Sequence, residues 1–212
     1  MDWRRFPPSS FIQPLVIFLF GVAFLLFSFS SLHASAPVSL SVGVEPEAVA
    51  INSQTNQAAV IHKGSNDLKV IDLSTNTVTS TLSFSSRPID VAVNSQNNVA
   101  VVVLEKIDSI QIIDLTSGFE LATVVVGKDP QEVAIDPGNQ IAVVTNQKDD
   151  TVSFVDLLAY SVLQTVSVGE KPLGVDINPT AQIAVVANEK SDTLSIIDLP
   201  SRTVTHTIPV SE

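Results

Sequence analysis

Short apolar runs alternate with short polar turns along the chain from residue 43 onward, and the runs change in character in a fixed order. The second run of each group is apolar on both faces, as in AVVVL (100–104), whereas the third alternates, as in LKVIDL (68–73). The fourth alternates more openly, as in STLSF (80–84). Such runs, rich in Val and Ile and bounded by Asn, Gly, Pro and Ser, predict β-strands. Continuous apolarity predicts burial on both faces, and alternation predicts one wetted face.

The groups of four runs repeat every 42 residues, as the spacing of two residue types shows: Pro46, Pro88, Pro130 and Pro172, and Asp72, Asp114, Asp156 and Asp198. Four antiparallel strands with the doubly apolar one inside predict a sheet sandwiched between like sheets, which is a propeller blade. The fold class is therefore all-β, a β-propeller of four blades, each a four-stranded antiparallel sheet, preceded by an N-terminal apolar helix. The predicted units are 1–36, an extra outer strand at 37–42, and blades at 43–84, 85–126, 127–168 and 169–212.

The repeated Asp and Pro have structural interpretations. Each aspartate follows two apolar residues and precedes a leucine and a turn, where a carboxylate closes the turn by accepting backbone N–H groups. Each proline stands where a strand begins, so its missing N–H costs nothing.

The chain resembles the YVTN β-propeller repeat family, whose signature Tyr-Val-Thr-Asn lies on the second strand. Val143–Asn146 and Val185–Asn188 are similar to that signature, and Ile197-Asp198-Leu199 is similar to the family's third-strand motif. The resemblance covers residues 38–212 and implies the propeller fold. It implies little about function, because the family includes surface-layer, envelope and redox-associated proteins without shared catalytic residues.

The first 36 residues have the pattern of an export signal. Arg4 and Arg5 precede an almost entirely apolar stretch at 15–29, which ends in Ala34-Ser35-Ala36. We expect an exported protein, periplasmic or extracellular, with residues 11–32 as a possible membrane anchor. Whether the segment is cleaved stays open, because Pro37 follows Ala36 and proline fits a peptidase cleft poorly.

Composition narrows the function classes. The chain has no cysteine, which excludes thiolate metal sites, cysteine nucleophiles and disulfides. Its net charge of −11 argues against nucleic acid as a partner and favours solubility. No cofactor motif is present: Gly127-Lys128 lacks the glycine spacing and the following Ser/Thr of a phosphate loop.

The number of blades raises a question about the two ends. An open arc of four blades would leave the flat apolar faces of its first and last blades uncovered. The arc either pairs with another chain, closes tightly on itself, or belongs to a shortened member of a longer family. We expect self-association, as a homodimer, or a protein partner, with membrane contact only through the N-terminal segment.

Charged residues concentrate in two sets of turns, those before the first strand and those between the second and third strands. In an up-and-down blade both sets emerge on the same side, and loops on a rigid scaffold are where binding is usually placed. The predicted partner-binding face comprises Lys128, Asp129, Lys148, Asp149, Asp150, Glu170, Lys171, Glu189, Lys190 and Asp192. Charged turns that merely keep one face wet are an equally good interpretation.

Three carboxylates, Asp90, Glu132 and Asp176, lie on first strands, which line the central channel of a propeller. Carboxylates that face one another could hold a hard cation, although solvated side chains at the channel mouth are the preferred interpretation. His62 and His206 have no serine and acid in a recognisable arrangement nearby, so no catalytic residue is predicted.

The sequence thus predicts an exported, non-catalytic propeller that serves as a binding or structural module of the cell envelope. The alternatives are a propeller enzyme or redox accessory, lactonase-like or cofactor-linked, and a shortened member of a longer family.

Overall fold

The computed structural model describes residues 39–210, which form sixteen strands. They are β1 (Pro46–Asn52), β2 (Gln57–His62), β3 (Asp67–Asp72), β4 (Thr77–Ser83), β5 (Asp90–Asn94), β6 (Val99–Leu104), β7 (Ser109–Asp114), β8 (Phe119–Val125), β9 (Pro130–Asp136), β10 (Ile141–Asn146), β11 (Thr151–Asp156), β12 (Ser161–Ser167), β13 (Pro172–Asn178), β14 (Ile183–Asn188), β15 (Thr193–Asp198) and β16 (Thr203–Pro209). A single 3₁₀ turn, Glu105–Ile107, follows β6.

The strands form four antiparallel sheets of four, each in chain order: β1 to β4, β5 to β8, β9 to β12 and β13 to β16. We call these blades 1 to 4. The predicted fold class is confirmed, and the predicted N-terminal helix lies outside the described residues. Within residues 39–210, no helix has the length and apolarity needed to cross a membrane.

Consecutive blades pack face to face, with the inner strands β1, β5, β9 and β13 side by side. We call the face of a blade that meets the next blade its leading face, and the opposite one its trailing face. The leading face of blade 1, with Ile61 and Val70, packs on the trailing face of blade 2, with Val91 and Val102. Two further clusters fill the interfaces between blades 2 and 3 and between blades 3 and 4. Burial on both faces explains why the second strands are continuously apolar.

The repeated aspartates close turns, as predicted. The Asp72 carboxylate accepts hydrogen bonds from Ser74 N at 2.7 Å and Thr75 N at 3.1 Å. Asp156 does the same for the N–H groups of Leu158 and Ala159, at 2.7 and 2.9 Å. These carboxylates accept backbone N–H groups that a tight turn leaves without a partner. The aspartates therefore repeat because every blade contains this turn, and not because they catalyse a reaction.

The arc of blades does not close on itself. The trailing face of blade 1 and the leading face of blade 4 meet no other blade within residues 39–210. Val49 is 61% exposed, whereas the residues at its position in the next three blades, Val91, Val133 and Val175, are 6, 5 and 6% exposed. Residues 39–210 therefore form an open four-bladed arc whose two end faces meet no other blade of this part of the chain.

The extra outer strand predicted at 37–42 is not seen in its described part: residues 39–42 form no strand. In the repeat these residues occupy the place of the fourth strand of a blade before blade 1. No such blade exists within residues 39–210, so the segment has no sheet to join.

Candidate functional site

The two sets of charged turns lie together on one rim of the arc, which we call the charged rim. In blades 1, 3 and 4 a backbone hydrogen bond joins the turn before the first strand to the turn after the second. The donors and acceptors are Lys63 N and Glu45 O (2.9 Å), Gln147 N and Asp129 O (2.9 Å), and Glu189 N and Lys171 O (3.0 Å). The repeat thus places the ten residues of the predicted face on one edge, because these turns flank the same ends of neighbouring strands.

Charged groups on this rim are linked within each blade. In blade 3, Lys128 N donates to the Asp149 carboxylate at 2.8 Å, and Lys148 Nζ lies 3.1 Å from Asp129 Oδ2. In blade 4, Lys190 Nζ lies 2.5 Å from Glu170 Oε2. The side chains of both lysines are more than 60% exposed, so their charges remain available to a partner.

Two of the predicted binding residues hold the scaffold together. Asp129 is buried, and its N–H donates to the Asp108 carboxylate of blade 2 at 2.9 Å. Asp150 accepts a hydrogen bond from Lys171 N of blade 4 at 2.8 Å. Each bond crosses a blade interface. The remaining eight predicted residues are exposed on the rim.

The opposite edge, which we call the neutral rim, consists of the turns at 52–56, 94–98, 136–140 and 178–182. Its blades are linked by amide side chains. Asn52 Nδ2 donates to Asn98 Oδ1 at 2.5 Å, and Asn94 Nδ2 donates to Gln140 Oε1 at 3.0 Å. Hydrogen bonds thus cross the interfaces between blades 2 and 3 and between blades 3 and 4 on the charged rim, and those between blades 1 and 2 and between blades 2 and 3 on the neutral rim.

A cavity of about 340 Å³ lies at the charged-rim end of the inner strands and is lined by residues of all four blades, Asp90 and Glu132 among them. These two carboxylates accept hydrogen bonds from the next blade: Asp90 from Val133 N at 2.9 Å, and Glu132 from Val175 N at 3.1 Å. Desolvation by burial raises the pKa of both carboxyls, and the nearby charges of Asp90 and Asp176 also raise that of Glu132.

Asp176, the third predicted cation candidate, lies near Glu132 but does not join one blade to the next: it is exposed, and its carboxylate accepts the N–H of its own neighbour, Ile177, at 2.8 Å. Within residues 39–210, no three His, Asp or Glu side chains are placed to hold one metal ion. The structure therefore does not assemble Asp90, Glu132 and Asp176 into a set of ligands. Two of them instead fasten one inner strand to the next.

Sequence reasoning missed a buried polar pair in blade 1. His62 Nδ1 lies 2.8 Å from Asp67 Oδ1, and Ser65 donates its hydroxyl to the same oxygen at 3.0 Å. His62 is fully buried, and a Cβ on Gly43 would lie 2.6 Å from its ring. The strand register carried the signal, since His62 and Asp67 are directly opposite across the β2–β3 hairpin.

The same place in blades 3 and 4 holds an amide and hydroxyls, whereas blade 2 has Leu104 at the position of His62. Asn146 Nδ2 donates to the hydroxyls of Thr151 and Ser153 at 3.0 Å, and Gly127 N donates to Asn146 Oδ1 at 3.1 Å. In blade 1, Ser65 contacts the carboxylate and not the imidazole, so the three side chains do not form the relay of a nucleophile, a base and an acid. His62 and Asp67 thus form a variant of a repeated structural contact.

No family model matches the chain, and no curated protein matches it either. Many solved structures are similar to the chain. One is hydrazine synthase of Kuenenia stuttgartiensis: the TM-score is 0.71 at 17% identity, over 81% of this chain and 52% of that one.

Another is a functionally unknown protein from Desulfotomaculum acetoxidans DSM 771, with a TM-score of 0.73 at 19% identity, over 82% of this chain and 59% of that one. The chain thus spans little more than half the length of either. At these identities the similarity shows the fold alone, a propeller-like arrangement of four-stranded sheets.

Proposed function

We propose that the protein is an exported, non-catalytic member of the YVTN propeller family that acts as a binding or structural module of the cell envelope. The charged rim is its binding surface. The observation that carries this proposal is the rim itself: eight charged residues stand exposed on one edge of a rigid arc. The opposite rim consists mainly of neutral amides and hydroxyls.

The rim suits a protein surface better than a small ligand. Its charges are of both signs and in part neutralise one another, as in the Lys148–Asp129 and Lys190–Glu170 pairs. A partner with a complementary pattern of charges would give the exposed lysines of these pairs less solvated contacts. We propose export from the pattern of residues 1–36, with residues 11–32 as the anchor if the segment is retained.

Site-directed photo-crosslinking in the cells that make the protein tests the binding surface. A photoreactive residue replaces Lys148 or Lys190 on the charged rim, or Gln54 or Thr180 on the neutral rim. We expect a crosslinked partner of defined mass from the charged rim only. The substitutions Lys148→Glu and Lys190→Glu together should abolish it. Equal labelling at both rims, or no discrete product, would reject the charged rim as the binding surface.

Export is tested separately by fusing residues 1–36 to a phosphatase that is active only outside the cytoplasm. We expect activity from the fusion and none when Arg4 and Arg5 are kept but Val16, Leu19 and Val22 are replaced by Glu. A fusion that stays inactive would reject export. An enzymatic role has no observation in its favour here, since the likeness to hydrazine synthase shows the fold alone.

A further inference from the structure

We propose that two copies of this chain associate head to tail into a closed ring of eight blades. The leading face of blade 4 in each copy packs on the trailing face of blade 1 in the other. This inference does not rest on the charged rim's binding role, because it concerns contacts between the two ends of the arc, although one of these contacts uses Asp192 of that rim. Eight blades lie within the range of about four to eight that propellers adopt.

The apolar side chains of the two end faces are those of an interface that the chain already makes three times. On the trailing face of blade 1, Val49, Ile51 and Leu73 are exposed, and the residues at the position of Leu73 in the later blades are buried. On the leading face of blade 4, Ile208 is 43% exposed, whereas Val124 and Val166 at its position are 6 and 9% exposed. Each end thus exposes apolar side chains at positions that the three internal interfaces bury.

The shapes of the two end faces also support head-to-tail association. A hollow of about 330 Å³ lies on the trailing face of blade 1, lined by Val49 and Val60 among others. A hollow of about 290 Å³ lies on the leading face of blade 4, lined by Val185, Ala187 and Leu194 and also by the carboxylates of Glu132 and Asp176. Asp176 is the one charged residue that this face adds, since blades 1 to 3 carry Ala50, Ala92 and Ala134 at its position. Within the chain, side chains of the adjoining blade occupy these positions. A second copy would supply the same filling.

The amide groups that form hydrogen bonds between blades on the neutral rim are also present at the two ends of the arc. In the interface between blades 1 and 2, the Asn52 amide donates to Asn98 Oδ1, while Asn98 Nδ2 donates to Thr116. Asn56 stands at the repeat position of Asn98 and donates in the same way to Ser74 at 2.8 Å. Its Oδ1 has no partner within residues 39–210. Asn178, at the repeat position of Asn52, has an Nδ2 that is likewise without a partner there.

The charged rim shows the same complementarity. Asp108 and Asp150 each accept the N–H of the residue that precedes the next blade's first strand, Asp129 and Lys171 respectively. At the next repeat position Asp192 is exposed and accepts no side-chain hydrogen bond within residues 39–210. The matching N–H is that of Glu45 in a second copy. Glu45 adopts the left-handed conformation of Asp129 and Lys171, with φ of 54° against 55° and 52°.

One charged side chain, Lys69, lies on the trailing face of blade 1 where other blades carry Gln111, Ser153 or Ser195. Its ammonium group lies 3.7 Å from Asp67 Oδ2, so the charge is drawn towards a carboxylate of its own blade. The face therefore does not present an unpaired charge to a neighbour.

A head-to-tail interface closes into a ring when the rotations of the copies sum to a full turn, so a ring of two copies requires each arc to turn through half a circle. Three copies would give twelve blades, outside the range that propellers adopt. The head-to-tail contact also differs from a symmetric one, in which trailing face would meet trailing face. This difference makes the proposal testable with single cysteines.

The chain has no cysteine, so every thiol in the test is introduced. Full-length chains carrying Val49→Cys or Ala187→Cys, with different tags, are made in one cell and treated with a short bis-maleimide. We expect mixed pairs of one chain of each kind and no Val49→Cys pair. The double variant should give products that stop at two chains. Phe119→Cys, on an outer strand and 70% exposed, is the control that should form no mixed pair.

Pairing of Val49→Cys with itself, a ladder beyond two chains, a product with another protein, or no product would each overturn the proposal. The native mass of the full chain in mild detergent gives a second measurement. We expect two chains for the wild type and for Phe119→Asp, but one for Val49→Asp. Retained circular dichroism would show that Val49→Asp still folds.

The rim contact has its own matched pair of variants. Asp192→Ala removes an acceptor at both interfaces of the ring and should raise the dissociation constant by about tenfold. Glu189→Ala changes the same charge in the same turn and should leave the constant unchanged. Equal effects of the two substitutions would overturn the Asp192–Glu45 contact and the head-to-tail geometry that requires it.

Discussion

The Asp90 carboxylate accepts a hydrogen bond at 2.9 Å from the backbone N–H of Val133, which belongs to the next blade. Glu132 repeats this contact with Val175 one blade later, at 3.1 Å. Blades 1 and 4 carry Ala48 and Gly174 at this position, which have no side-chain acceptor. The interfaces between blades 2 and 3 and between blades 3 and 4 are therefore fastened at the axis.

Replacing Asp90 tests this fastening. Asp90→Ala leaves the Val133 N–H without its acceptor, whereas Asp90→Asn keeps an oxygen in place and removes the charge. We expect Asp90→Ala to be less stable than Asp90→Asn by about 0.5–1.5 kcal/mol in free energy of unfolding. Chemical denaturation followed by circular dichroism measures the difference. Equal stability of the two variants would show that the hydrogen bond contributes nothing.

The same carboxyls should make stability depend on pH. Burial raises the pKa of Asp90 and Glu132, so the folded protein binds these protons more tightly than the unfolded chain does. Their contribution is complete below the unfolded pKa values of about 4 and is lost as pH rises through the folded values. Asp90→Asn with Glu132→Gln should therefore gain stability relative to the wild type as pH rises above about 4. Thermal melts across pH measure this; a constant difference would contradict it.

The turn aspartates should act in the opposite direction. Backbone hydrogen bonds from Ser74 and then Thr75 lower the pKa of Asp72. Its contribution is present above the unfolded pKa and is lost as pH falls through the folded value. Asp72→Asn, which keeps an acceptor but cannot ionise, should lose less stability than the wild type on acidification below about pH 4. Glu189→Gln is the control of equal charge change, and an identical response of the two variants would refute the prediction.

The His62–Asp67 pair should behave as one unit. His62→Asn or Asp67→Thr alone breaks a buried contact and should cost about 1–3 kcal/mol of stability. The double variant recreates the Asn–Thr pair of Asn146 and Thr151 and should recover part of that loss, with an interaction energy of about 0.5–3 kcal/mol. A double-mutant cycle in chemical denaturation measures it. Strict additivity would mean that the two residues do not depend on each other.

The fold could be predicted from the sequence because the same pattern of four strands occurs four times, at a spacing of 42 residues. Val102, Val144 and Val186 are fully buried, as continuous apolarity on the second strands predicted. The grouping of charged turns on one rim also followed, since the repeat determines at which end of the strands each turn lies.

The contacts between blades could not be predicted in this way. Whether Asp90 faces a metal ion, water or Val133 N–H depends on the tilt between neighbouring sheets, which the periodicity of one blade does not specify. For the same reason, Asp129 and Asp150 were grouped with exposed binding residues although they join adjacent blades. The contact between His62 and Asp67 was not predicted either, although the two residues lie opposite one another across the β2–β3 hairpin.

The two uncovered ends have a consequence for how such a chain can evolve. Every added unit of 42 residues would bring one face of each kind, and the surfaces left bare would be the same as before. Duplication or loss of a unit therefore changes the number of blades without demanding a new interface. A closed ring of blades can therefore be reached either by adding units to one chain or by associating more than one chain.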